Sequence, residues 1–178
     1  MLRLRESREV QIESAKLEIL PTGPLRWGRD EYDNSFVIAT FDDPARQLTI
    51  SSEVVIRHND ASPLDFMVED YAVNYPFRLE RHTELALAPF LASPESPTDT
   101  EALRSWLQGF WNAGEPIQTY ALLWRICTGI NRTLSYQRRE EPGVQSASET
   151  LSRRSGSCRD FARLFMDAAR YLGVPARF

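Results

Sequence analysis

Apolar and polar positions alternate along this chain with two different periods. Through about residue 90 the period is that of strands. Val10, Gln11, Ile12 and Leu17, Glu18, Ile19 alternate, as do Leu48, Ile50, Val54 and Ile56 across polar neighbours. Phe36 to Phe41 is a near-continuous apolar run, the pattern of a strand covered on both faces. Turn chemistry separates these runs at Pro21 to Pro24, Asp33-Asn34, Asp42 to Pro44 and Asn59-Asp60. Short strands at this spacing predict an antiparallel β-sandwich over residues 1–92. Its first strand begins almost at Met1, so a partner strand is expected to be missing from the front.

The breaker-rich Ala92-Ser93-Pro94-Glu95-Ser96-Pro97 reads as a boundary, and after it the period becomes helical. Leu103, Trp106, Leu107, Phe110 and Trp111 fall on one helical face, with Thr98 and Glu101 spaced as a capping box. A second helix is predicted from Pro116 to about Leu134, turning Ile117, Tyr120, Ala121, Trp124, Cys127 and Ile130 inward. Tyr136 to Val144 is polar, contains Pro142-Gly143 and reads as a loop. Ser146 and Glu149 then frame a capping box for a short helix to about Arg153. The last helix has the clearest pattern. Ser157 caps it with Asp160 as reciprocal partner, and Phe161, Leu164, Phe165, Ala168 and Leu172 line one face. Arg159, Arg163, Asp167 and Arg170 mostly line the other, Gly173 is placed for a left-handed residue, and Pro175 prevents continuation. The fold class is α+β, with a helical region over residues 98–178 following the strand-rich one.

Composition narrows the class. The 178 residues suit one domain or two small ones, and the apolar and charged fractions are those of a globular protein. The net charge is −4 with Lys and Arg scattered, which argues against nucleic acid or an anionic membrane as partner. No apolar run approaches the ~20 residues of a membrane helix, and MLRLRESREV has no signal-peptide core. Two cysteines, Cys127 and Cys158, make no disulfide framework, and with His58 and His82 they give no compact zinc-ligand spacing. A reduced, cytoplasmic protein without metal or cofactor is expected. The sequon Asn131-Arg132-Thr133 sits inside a predicted helix and carries no weight.

Cys158 is the candidate for chemistry, at the first helical position directly after Gly156-Ser157. There the unpaired N–H groups and positive dipole end of a helix favour thiolate over thiol, and the thiolate is the nucleophile. The backbone N–H of Cys158 can also donate to an oxyanion on a substrate carbonyl. The competing reading is a buried, inert packing cysteine. Cys127, on the apolar face of its predicted helix, fits that reading, and the spacing gives no support to a Cys127–Cys158 disulfide.

The run from Ala147 to Phe178 resembles the nucleophile helix of bacterial transglutaminase-like proteins. The resemblance is carried by Gly156-Ser157-Cys158-Arg159-Asp160-Phe161-Ala162 and by Leu172-Gly173-Val174-Pro175-Ala176-Arg177-Phe178. Leu20-Pro21, Trp27, Asp30, Asn34 and Tyr75-Pro76 are similar to the β-sandwich domain that often precedes this core, and Thr133 to Tyr136 to its aromatic residue ahead of the nucleophile loop. The resemblance implies the front half of a papain/transglutaminase-like core and a Cys-His-Asp enzyme acting on amide bonds of a protein or peptide. A thioester at Cys158 would pass to water or to another amine. The family carries its His and Asp downstream of the Pro-Ala-Arg segment, whereas this chain stops at Phe178, so the fragment is expected to be truncated and inactive. His58 and His82 precede the nucleophile and match neither role. Asp160 is read as a cap and Arg159 as a solvated side chain. Tyr136 either assists an oxyanion or packs between helices. Two other readings stay open: a non-catalytic protein- or peptide-binding module, and an acyltransferase using a thioester donor. A helical half without its sheet should expose the apolar face of the last helix or bury it elsewhere, by self-association or by packing onto the sandwich.

Overall fold

A computed structural model describes residues 4, 6, 7, 10–59, 66–92 and 96–177. Met1, Asp60, Ser93 to Glu95 and Phe178, on which parts of the sequence reading fall, lie outside the described residues. The chain forms two compact units, Met1–Phe66 and Met67–Phe178.

The first unit holds β1 (Val10–Leu20), β2 (Leu25–Arg29), β3 (Ser35–Ala39) and β4 (Thr49–His58). β1 pairs antiparallel with β4 from Val10↔His58 to Leu20↔Thr49, with an irregularity between Ile12 and Ser14. β2 pairs antiparallel with β3, and the turn between them is built on Asp30, whose carboxylate accepts from the N–H groups of Tyr32 and Asn34. Among the described residues these are two two-stranded ribbons. The apolar run from Phe36 is not covered on both faces: Phe36 is 44% and Ile38 55% exposed, on one side of β3.

The second unit carries the helices: α1 (Arg81–Leu91), α2 (Pro97–Leu107), α3 (Thr119–Thr133), α4 (Ala147–Arg153) and α5 (Cys158–Tyr171). Three short strand pairs or turns connect them: a 3-10 turn at Asp70–Ala72, β5 (Asn74–Tyr75) against β6 (Ile117–Gln118), and β7 (Ser135–Tyr136) parallel to β8 (Ser155–Gly156). α1 lies where the sequence reading still expects strand. Leu85, Ala86, Leu87 and Ala88 are strong helix formers, and Pro89 inside the helix hides that preference.

Capping sets the helix starts. α2 begins at Pro97 with Ser96 as its cap, two residues ahead of the expected Thr98, because proline suits the first helical position. It ends at Leu107, and Phe110 and Trp111 reach the core from the turn that follows. α4 has the predicted Ser146–Glu149 capping box, and Gly173 after α5 is left-handed with φ 78°. α3 occupies the predicted span but is rotated from the predicted face. It buries Leu122, Ile126, Gly129 and Ile130, while Trp124 and Cys127 are exposed, and Trp124 stacks on Tyr120 at 6.2 Å.

The core joins Leu103 and Leu107 of α2, Leu122, Ile126 and Ile130 of α3, and Leu164 and Ala168 of α5, with Tyr75 set edge-on to Trp111. Leu103, Leu122, Ile126 and Leu164 are fully buried, each worth about 1.5–3 kcal/mol relative to exposure. α5 thus buries Leu164 and Ala168 of its apolar face within its own unit. No helix among the described residues is long and apolar enough to cross a membrane.

Candidate active site

α5 starts where α4 and β8 deliver the chain. Arg154 closes α4 in a left-handed conformation (φ 51°), and Ser155-Gly156 pairs in parallel with Ser135-Tyr136. Ser135 N–H donates to the Arg154 carbonyl at 2.9 Å and Gln137 N–H to the Gly156 carbonyl at 2.8 Å, fixing the segment two residues before Cys158. Gly156 sits in a crowded place. A Cβ there would lie 3.0 Å from the Asp160 Cβ and 3.2 Å from Gln145 Oε1 and the Phe161 ring.

Cys158 is the first residue of α5, and its thiol is free and exposed. The N–H groups of Asp160 and Phe161 both turn to the Ser157 carbonyl, which leaves those of Cys158 and Arg159 as orphan donors at the helix end. Two residues further along α5 stands Asp160, with no exposed surface. Its Oδ2 accepts from the Ser157 N–H and hydroxyl, both at 2.8 Å, and its Oδ1 from Gln145 N–H at 2.9 Å and Arg139 Nη1 at 2.8 Å. Burial pushes the Asp160 carboxyl upward, but these hydrogen bonds outweigh it and hold the group well below the usual carboxylate range. The capping role read from the sequence is present, and Asp160 also anchors the 137–146 loop.

Arg159 departs from its sequence reading. It is half-buried, its guanidinium donates to the Glu141 carbonyl, and its Nε is buried without a partner. Tyr136 is 66% exposed and so is not packed between helices; it pairs with Gly156 across the parallel bridge. His58, the last residue of β4, is exposed, and His82 is exposed at the start of α1 beside Glu80 and Thr83. Arg139 is the participant that the sequence reading misses. Its one signal is position, in a polar loop between an aromatic residue and a capping box. No group of three or more metal-ligating side chains occurs among the described residues. A separate open groove of about 780 Å³ lies among α2, the end of α3 and α4, lined by Trp106, Leu134, Leu151, Ser105, Ser148 and Arg154.

Residues 113–178 match the family model of the transglutaminase-like superfamily, a span that includes Cys158 and Asp160. No curated protein matches the chain. The crystal structure of a candidate cysteine protease from Cytophaga hutchinsonii aligns with a TM-score of 0.66 and 17% identity, over 96% of this chain and 56% of that one. The likeness is one of fold, and this chain spans little more than half the length of that protein.

Proposed function

Because its residues 113–178 match the family model of the transglutaminase-like superfamily, we propose that this chain is the nucleophile-bearing part of a cysteine enzyme acting on amide bonds. The observation that carries the reading is the exposed Cys158 thiol at the first position of α5, backed by orphan backbone N–H groups. The Cys158 thiolate attacks the amide carbonyl carbon and a C–S bond forms. The carbonyl oxygen takes the negative charge and receives the Cys158 N–H. Collapse expels the amine with a proton and leaves a thioester, which water or a second amine then resolves. Tyr136, exposed and paired with Gly156, would by resemblance assist the same oxyanion.

By resemblance, the proton transfers belong to a His oriented by an Asp, both following the Pro175-Ala176-Arg177 segment. The two ribbons of the first unit would belong to the β-sandwich that precedes the core in bacterial members. Protein or peptide is the proposed substrate class, and two free cysteines suit the reducing cytoplasm. An intact Cys158–Asp160 site favours this reading over a binding module, which has no need of an exposed thiol.

An activated ester tests the reading, since its leaving group needs no general acid. Incubation with p-nitrophenyl acetate should place one acetyl group on Cys158 and leave Cys127, also exposed, unmodified by peptide mass. Equal acetylation of both thiols would sink the proposal.

A further inference from the structure

We infer that Arg139 is a positioning residue for Cys158: through the buried Asp160 it fixes the first turn of α5 and cancels a negative charge two residues from the thiolate. The inference rests on the proposed role of Cys158 as nucleophile.

Arg139 lies in the loop between β7 and α4, yet its side chain is only 15% exposed. It reaches inward to Asp160 at 2.8 Å, across 21 positions of sequence. Three other donors, from Gln145 and Ser157, share that carboxylate. Two of them place the residue immediately before Cys158, so the direction of the Cys158 N–H follows from the position of Asp160. The remaining donors are neutral, and among the described residues Arg139 is the one cation hydrogen-bonded to the carboxylate.

The charge matters because two anions compete for one helix end. The dipole and orphan N–H groups favour both a carboxylate in the first turn and a thiolate at its start. The carboxylate alone would disfavour the thiolate, since two like charges in one helical turn oppose joint ionisation. With the Arg139 guanidinium on Asp160, the pair is neutral as seen from Cys158. Other charged groups face this cluster from the loop, α4 and α5. Glu141 lies 3.6 Å from Arg139 but its side chain is 72% exposed, so water screens it. Glu149 of α4 acts on Arg139 through space, and Arg159 of α5 is turned to the Glu141 carbonyl. None of these replaces Arg139 on the buried side of Asp160.

The test is the rate of iodoacetamide alkylation at each cysteine of the full chain, followed by peptide mass from about pH 5 to about pH 9. Cys127, exposed on α3, is the internal reference. Arg139→Gln should slow Cys158 on the order of tenfold near neutral pH and displace its pH profile to the alkaline side. Asp160→Asn should displace the profile the other way, because the guanidinium then faces the thiolate uncancelled. The double variant should lie between them, with Cys127 unchanged throughout. A merely structural role would disturb Cys158 in the same sense in both single variants. If Arg139→Gln does not fold, the acid displacement in Asp160→Asn carries the test, and its absence overturns the inference. If Cys158 outpaces Cys127 in the unaltered chain but both variants leave its profile in place, the positioning role alone is overturned. If Cys158 reacts no faster than Cys127, the nucleophile reading falls and this inference with it.

Discussion

A carboxylate with no exposed surface must be matched donor for donor, and Asp160 has four donors for its two oxygens. Its folded-state value lies below that of an unfolded aspartate, about 3.9. It therefore contributes stability that is fully present above that value and lost as pH falls below it. Asp99 behaves alike: burial pushes it up, but hydrogen bonds from Ser148 and Ser146 prevail and lower it. Asp167 has the opposite sign. Burial raises it above its unfolded value in spite of Arg163, so its contribution is present at low pH and lost as pH rises through the folded value. Melting temperature followed by circular dichroism should fall below about pH 4, and Asp160→Asn should flatten that acid limb. A limb unchanged in the variant would show that Asp160 does not carry it. At this scale the sequence makes Cys158, Ser157 and Asp160 legible, because their spacing prescribes a helix start. Arg139 is not legible, because a polar loop pattern does not tell which arginine turns inward.

Helix ends are legible for the same reason, and helix faces are less so. Ser146–Glu149 and Gly173 each satisfy a local geometric need, and the structure places them as the sequence indicates. Ser146→Ala should cost about 1 kcal/mol in urea unfolding through loss of the α4 cap; Thr98→Ala should change little, since Ser96 caps α2. On α3, Tyr120, Trp124 and Cys127 form one stripe at helical spacing, and Leu122, Ile126 and Gly129 form another. Periodicity offers both. The aliphatic stripe is buried, because it faces the interior that α2 and α5 share. α1 goes unread since none of its residues is fully buried, so no apolar face marks it. Leu164→Ala removes a fully buried side chain from α5 and should destabilise by about 2–5 kcal/mol. A loss below about 1 kcal/mol would mean the site collapses around the change.

The two units differ in what holds them together. The buried hydrophobic cluster draws only on residues from Tyr75 to Leu172. In the first unit Ile19 is the sole buried hydrophobic among the described residues, while Trp27, Phe36, Ile38 and Ile50 are each more than 40% exposed. Residues 67–178 produced alone should therefore unfold as one cooperative transition with helical circular dichroism intact, and residues 1–66 alone should not. Two-stranded ribbons are marginal in water without a further layer. A 67–178 chain without cooperative unfolding would show that the second unit depends on the first.

The loop from 137 to 146 is tied to α5 by bonds that span 15 and 21 positions of sequence, whereas the helix is held by bonds four apart. Such long-range ties close late in folding and open early in native fluctuation. The amide proton of Gln145 should then exchange with solvent ahead of those inside α5. Reactivity at Cys158 would follow this local opening, an equilibrium separate from the survival of the helical core.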